Sequence, residues 1–233
     1  MMLLYPYFLW GIIQGSIMAI LSNVTNGGQG WNSILLLPID PFGQFWYLYD
    51  LFFMSILYYG LSKLFNNTKL VVLLSVILFF ITPLMTGWEW ARIFHHFLFL
   101  VLGSEFFTYE NWISKRKWYI LAILSALSYL VFYIKIGILE FLSYGLLGTA
   151  VSLWISRMIG QNSVLEYLGK KSLPIYLWHI LAISGLRIIL TRVFGFTNIL
   201  GLITVLTLAG TVFPLIVDYV VNRLRCNRLF YGK

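Results

Sequence analysis

Residues 165–180 read LEYLGKKSLPIYLWHI, and the organisation of the whole chain follows from this stretch. Gly169 and the two lysines after it interrupt the apolar pattern that precedes them. Ser172 is of a type preferred at helix N-caps, and Pro174 falls in a first helical turn, where its missing N–H leaves no hydrogen bond unmade. The stretch therefore predicts a basic loop at a membrane edge, from which a helix capped by Ser172 runs inward.

Three polar side chains share one face of this predicted helix. At about 100° per residue, Ser172, Tyr176 and His179 line up along one side. Ser172 and Tyr176 are therefore candidate substrate-binding residues. His179 lies about two turns inside, where a neutral imidazole is a candidate general base or proton relay. The alternative is an interhelical hydrogen bond that only fixes packing.

Composition excludes a water-soluble globular fold. Of the 233 residues, 60% are hydrophobic and 10% are charged, and the mean hydropathy is +0.86. A helix needs about 20 apolar residues to cross the hydrocarbon layer. The sequence therefore predicts one all-α transmembrane domain over residues 1–233, a polytopic bundle of about eight spans. The single Cys226 permits neither an internal disulfide nor a thiolate metal site, and no metal site is predicted.

Apolar runs place the predicted spans. They cover residues 4–21, 44–64, 70–86, 90–107, 118–134, 138–157, 173–190 and 198–222. The longest connection, residues 22–43, is rich in Asn, Gly and Pro. We interpret it as an ordered loop or a short interfacial helix.

Basic residues alternate in sidedness along these spans. Arg92, Lys135, Arg187 and Arg192 fall on one predicted side, and all other Lys and Arg residues fall on the opposite side. Because Lys and Arg concentrate in cytoplasmic loops, we expect a multi-pass protein of the plasma membrane with both termini cytoplasmic. These clusters account for the net charge of +8, so nucleic acid is not predicted as a partner.

The fourth predicted span carries a row of ionisable side chains. Glu89, Arg92 and His96 are spaced i, i+3 and i+7 and share one face near the outer end of the span. Because charges inside a span are costly, we interpret Arg92 and His96 as candidate catalytic residues and Glu89 as a candidate substrate ligand. The alternative is an interfacial Glu89–Arg92 pair, with His96 bonded to a carbonyl. His95 points away from this face and is interpreted as structural.

Other ionisable residues lie in or beside the remaining spans. Asp50 is a candidate substrate-binding residue that needs a buried partner, and Arg92 or Arg187 lies at a similar predicted depth. Arg187 is also a candidate substrate ligand, unless it extends to the outer surface. Asp218 lies four residues before Asn222 and close to Arg223 in sequence, which favours local pairing.

The stretch at residues 165–180 also resembles a segment near the end of polytopic chains in the membrane acyltransferase 3 family, which includes sugar O-acetyltransferases of bacterial cell envelopes. The matching positions are Leu168, Gly169, Ser172, Leu173, Ile175, Tyr176, Leu177 and His179. Other stretches resemble the family in the same order: residues 4–10 the start of its third span, residues 45–48 its Trp-Phe-Leu segment, residues 92–103 its Arg-to-Gly run, and residues 227–232 its last turn. The resemblance covers the whole chain.

The resemblance also implies a departure from the family. Family members begin with two further spans, the first of which carries an arginine and, further along, a histidine central to acyl transfer. Here the resemblance starts at the third span, and no histidine precedes His95. We interpret the chain as a shortened member that lacks the first two spans and has no counterpart of that histidine. The resemblance carries catalytic roles over to Arg92 and His179.

Two hypotheses follow. The first is transfer of an acyl group, acetyl from acetyl-CoA, to a sugar of an envelope glycan or lipid-linked precursor; a histidine would move the proton, and arginines would hold the CoA phosphates or the oxyanion. The second is an inactive relative, or a membrane subunit that handles or transports a glycan.

No bound cofactor is predicted. The expected partners are membrane lipid, the acyl-CoA donor and the glycan or lipid-linked sugar acceptor, while association with itself or another chain is left open.

Overall fold

The structure is a computed structural model that describes residues 3–22, 30–85, 89–114 and 137–232, together with positions 127, 129, 130 and 133. For residues 89 and 106–114 it describes the backbone alone. Throughout these described ranges the secondary structure is helical, without a strand. The predicted all-α fold is therefore confirmed for this part of the chain, while the predicted span at residues 118–134 lies largely outside it.

Ten α-helices are defined by the described residues. They are α1 (Leu4–Ile20), α2 (Trp31–Leu36), α3 (Trp46–Phe65), α4 (Thr68–Ile81), α5 (Glu89–Ser114), α6 (Gly137–Ile159), α7 (Ser163–Lys170), α8 (Ser172–Ile188), α9 (Ile199–Arg223) and α10 (Asn227–Tyr231). A 3₁₀ turn precedes α3, another follows α4, and a π-helical turn over Ile189–Val193 extends α8. The short α2 lies within the long connection at residues 22–43, so a short helix is present there, while its interfacial position stays a prediction.

The start of α8 differs from its prediction. Lys171, not Ser172, occupies the N-cap position, and it makes no side-chain capping bond. The two lysines were predicted to lie in a loop, but Lys170 is the last residue of α7. Only Lys171 is left to separate the two helices, so Ser172 becomes the first residue of α8, where it is exposed.

Among the described residues, three helical segments are long and apolar enough to cross a membrane: α6, α8 together with its π-helical turn, and α9. Helix α1 and the segment Thr68–Leu84 are shorter apolar helices. Together with the composition, these helices make this a membrane protein. Eight spans and cytoplasmic termini remain predictions.

The chain folds as two compact units. The first, here called the terminal unit, comprises Met1–Tyr49 and Ser163–Lys233; the second, the central unit, comprises Asp50–Asn162. In the terminal unit α8 and α9 run antiparallel, because Lys171 meets Asp218 and Ile183 meets Gly210. A Cβ atom at Gly210 would lie 2.8 Å from the Ile183 Cδ1 atom, so a larger residue there would have to displace the Ile183 side chain.

Helix α1 packs beside α8 in the terminal unit. The rings of Trp10 and Trp178 meet edge to face, with centroids 4.3 Å apart. The Trp10 indole N–H also donates to the Phe230 carbonyl at 2.9 Å, which ties α10 to α1. These contacts hold the start of α8, with its polar face, against the first helix of the chain.

In the central unit, α4, α5 and α6 pack through aromatic side chains. Asn67 caps α4 by accepting a hydrogen bond from the Lys69 backbone N–H at 3.0 Å. Phe79 on α4 and Phe141 on α6 both contact the His95 ring on α5. This packing places the polar segment of α5 between its two neighbours.

Candidate functional site

A buried ion pair organises the central unit. Asp50 on α3 is fully buried, and its carboxylate accepts hydrogen bonds from Arg92 on α5, at 2.8 Å from Nε to Oδ2 and 3.1 Å from Nη2 to Oδ1. This two-point geometry is the strong form of an arginine–carboxylate contact. Of the two partners predicted for Asp50, Arg92 is therefore confirmed.

His96 lies beside the same carboxylate. Its Nδ1 atom is 3.7 Å from Asp50 Oδ2. Asp50 thus faces both a guanidinium, which it orients through two hydrogen bonds, and an imidazole within ion-pair distance. The structure brings Arg92 and His96 together as predicted, while the side chain of Glu89 lies outside the described part. The alternative Glu89–Arg92 pair therefore stays a prediction.

His95 has a defined proton position. The Thr82 hydroxyl donates its one hydrogen to the Phe79 carbonyl at 2.7 Å, so toward the His95 Nδ1 atom, 3.2 Å away, it acts as an acceptor. Nδ1 must then carry the proton, and in the neutral ring Nε2 keeps a lone pair. The ring is held between Phe79 and Phe141, at centroid distances of 4.6 and 4.2 Å. The His95 ring is thus held in a fixed orientation.

Arg92 and His95 line one cavity of about 400 Å³ in the central unit, which is shallow and open rather than enclosed. Its other walls come from Thr82, Pro83, Ala91, Gly137, Ile138 and Phe141. This volume is within the range of small-molecule sites. The sequence analysis interpreted His95 as structural, yet the residue shares the cavity with Arg92. Their i, i+3 spacing was the signal that could have identified it.

His179 in the terminal unit has its proton on the same nitrogen. Its Nδ1 atom lies 2.8 Å from the Tyr176 carbonyl and 3.1 Å from the Ile175 carbonyl. Carbonyl oxygens only accept hydrogen bonds, so Nδ1 carries the proton and Nε2 of the neutral ring is basic. These bonds lie within α8, so they differ from the interhelical bond weighed as the structural alternative.

The predicted polar face of α8 is part of a larger network. Tyr176 donates its hydroxyl hydrogen to the Gln44 carbonyl. The Gln44 side chain donates to Gln14 Oε1 at 2.7 Å, and Gln14 Nε2 donates to the Leu177 carbonyl at 2.7 Å. Neither glutamine is among the residues predicted from the sequence. A buried amide within an apolar span was the available signal, since such groups need partners.

Asp218 pairs with a different residue from the one predicted. Its carboxylate lies 2.7 Å from Lys171 Nζ on α8, so the prediction of a local pair with Arg223 is wrong. Five residues along a helix correspond to a rotation of about 140°, which places Arg223 on another face.

Outside the predicted spans, Tyr231 on α10 is buried, and this burial together with the Asp218 carboxylate raises the pKa of its hydroxyl.

Arg187 lies near the end of α8 in the terminal unit. It lines a second cavity, of about 250 Å³, within the terminal unit.

Among the described residues, no three His, Cys, Asp or Glu side chains are grouped so as to hold a metal ion.

The helices and these sites define a membrane protein with half-buried arginine and histidine side chains around buried acidic and amide groups. Residues 1–218 match a protein family described as an acyltransferase domain, the acyltransferase 3 family. The match covers most of the chain, so the chain belongs to this family and is a membrane acyltransferase domain. No curated protein and no solved structure matches the chain.

Proposed function

We propose that this chain transfers an acetyl group from acetyl-CoA to a sugar hydroxyl of an envelope glycan or its lipid-linked precursor. The observation that carries the proposal is the cavity of the central unit, where the Arg92 guanidinium and the oriented His95 imidazole form part of one wall. A base beside a fixed cation is the combination that acyl transfer needs.

The reaction follows from these two groups. His95 Nε2 takes the proton from the sugar hydroxyl as its oxygen attacks the thioester carbonyl. The negative charge that develops on the carbonyl oxygen is stabilised by Arg92, which Asp50 holds in place. The carbon–sulfur bond then breaks, and the departing thiolate takes the proton from the imidazolium. The products are the sugar ester and free CoA, and the histidine returns to its neutral form.

The two other histidines have supporting roles in this proposal. His96 lies beside the Asp50 carboxylate that holds Arg92, so it supports the position of that carboxylate, whose negative charge balances the guanidinium. His179 belongs to the terminal unit, where its basic Nε2 makes it the alternative base that the family resemblance favours. The three histidines can be separated by experiment because each can be substituted alone.

The test is acetyl transfer from radiolabelled acetyl-CoA to cell-envelope polysaccharide or its lipid-linked precursor, with the full chain in lipid nanodiscs. His95→Gln keeps a polar side chain of similar size but removes the base, and we expect acetyl transfer to fall at least about 100-fold. Arg92→Lys keeps the positive charge but cannot make both hydrogen bonds to Asp50, so acetyl transfer should also fall. Leu73→Ala, on an exposed face of α4, is the control and should transfer normally.

Each outcome has a definite meaning. Loss of transfer in His179→Gln with normal transfer in His95→Gln would move the reaction to the terminal unit and overturn the site assignment. Absence of transfer by the native chain, folded and supplied with donor and acceptor, would overturn the function and favour an inactive or glycan-handling relative.

A further inference from the structure

The cavity beside Arg187 is separate from the proposed reaction site. It lies within the terminal unit, and its walls come from α1 and α8. Ile17, Met18 and Leu181 are among the apolar residues that line it, whereas Arg187 is the single charged residue among the described ones that do. The volume of about 250 Å³ is several times the roughly 30 Å³ that one water molecule takes in the liquid. The cavity therefore suits a segment of hydrocarbon chain.

Arg187 has an unbalanced charge. The side chain is half-buried, and among the described residues it has neither an ion pair nor a side-chain hydrogen bond. The polar neighbour in the cavity, Gln14, uses its amide toward Leu177 and Gln44. An arginine next to apolar walls in a membrane span needs an anion to offset the cost of its desolvation.

A second polar group faces the same place. Ser184 precedes Arg187 by three residues on α8, so the two side chains share a helix face, and both line the cavity. Within the described part of the chain, the Ser184 hydroxyl has no hydrogen-bond partner either. A guanidinium and a hydroxyl together suit phosphate oxygens. The π-helical turn Ile189–Val193 follows directly, and such turns occur frequently at functional sites.

We propose that this cavity binds an anionic phospholipid, with its phosphate at Arg187 and Ser184 and part of one acyl chain between α1 and α8. The apolar walls argue against free phosphate, which would leave them unfilled. The predicted topology argues against the CoA phosphates as ligands, because Arg187 falls on the predicted outer side, away from cytoplasmic acetyl-CoA. This lipid site is independent of the acyl transfer proposed for the central unit.

Binding can be measured by native mass spectrometry of the purified full chain, titrated with phosphatidylglycerol, phosphatidylcholine or inorganic phosphate. We expect tight binding of phosphatidylglycerol to the native protein and at least a tenfold loss in Arg187→Gln. Arg192→Gln is the matched control, because Arg192 is exposed and does not line the cavity. Leu181→Trp fills the cavity without changing its charge and should also weaken binding, with lipid-free melting temperatures confirming that every variant folds.

Three results would overturn the proposal. The first is equal phosphatidylglycerol binding by Arg187→Gln and Arg192→Gln. The second is inorganic phosphate that binds as tightly as the lipid, since the apolar walls would then contribute nothing. The third is displacement of the lipid by acetyl-CoA, which would assign the cavity to the acyl donor. None of these depends on whether the chain transfers acetyl groups.

Discussion

Asp50 and Arg92 form an ion pair whose two members differ sharply in exposure: the Asp50 side chain is 0% exposed, while that of Arg92 is 29% exposed. The carboxylate depends wholly on protein partners, whereas the guanidinium can also reach solvent or the cavity. The pair therefore has an asymmetric energetic role. It neutralises the buried charge of Asp50 on α3. At the same time it holds the Arg92 guanidinium at the cavity of the central unit.

The asymmetry predicts unequal costs for breaking the pair. Arg92→Ala leaves the buried carboxylate without its main partner, and we expect a loss of about 3–5 kcal/mol in the free energy of unfolding. Asp50→Asn leaves a partly exposed guanidinium and a neutral amide, and it should cost about 1–2 kcal/mol. Reversible unfolding in mixed detergent micelles measures both values. Equal costs for the two variants would contradict this account of the pair.

The tautomer of His95 predicts an effect of Thr82 on activity. Thr82→Val keeps the shape of the side chain but removes the acceptor for the Nδ1 hydrogen, so the ring loses its orientation. Loss of one such bond is expected to lower acetyl transfer about tenfold with a small change in stability. Ser75→Ala is the control, because the Ser75 hydroxyl bonds only to the Val72 carbonyl of its own helix at 2.7 Å. If both variants transfer alike, Thr82 does not set the tautomer.

The raised pKa of Tyr231 predicts a loss of stability at alkaline pH. In the unfolded chain this phenol ionises as the pH rises through its ordinary value of 10.0, while the native protein retains the proton. The unfolded state then binds fewer protons, so the free energy of unfolding falls as the pH rises further.

Tyr231→Phe should therefore show a smaller fall in melting temperature between about pH 10 and pH 11 than the native chain. Tyr219→Phe is the control, since Tyr219 is 69% exposed and should behave like the native chain. The lysines titrate in the same range in all three proteins, so only the difference between variants is interpreted. A Tyr231→Phe curve that parallels the native one would refute the prediction.

The close approach of α8 and α9 predicts the cost of enlarging Gly210. Gly210→Leu places its side chain against Ile183 and forces the helices apart, at an expected cost of about 1–3 kcal/mol in the free energy of unfolding. Gly148 on α6 has nothing within 4 Å of its Cβ position. Gly148→Ala should therefore leave stability unchanged or raise it by about 1 kcal/mol. Detergent unfolding curves of the two variants measure this contrast.

The sequence by itself determined the parts of the protein that depend on one segment at a time. Apolar runs located helices α1, α3 and α9 to within a few residues, since a span must bury its own backbone in lipid. The stretch at residues 165–180 also identified the family, because a resemblance of this kind depends on consecutive residues.

Tertiary structure alone decided which polar side chains meet. Helical periodicity placed Arg92 and His96 on one face, but it could not select Asp50 over a local carboxylate or join Lys171 to Asp218. It likewise assigned His95 to packing, although rotation of α5 against α4 and α6 brings this residue into the cavity. Periodicity reports angles around a single helix axis, whereas each partner comes from another helix, whose rotation and depth are set by the packing of side chains along both.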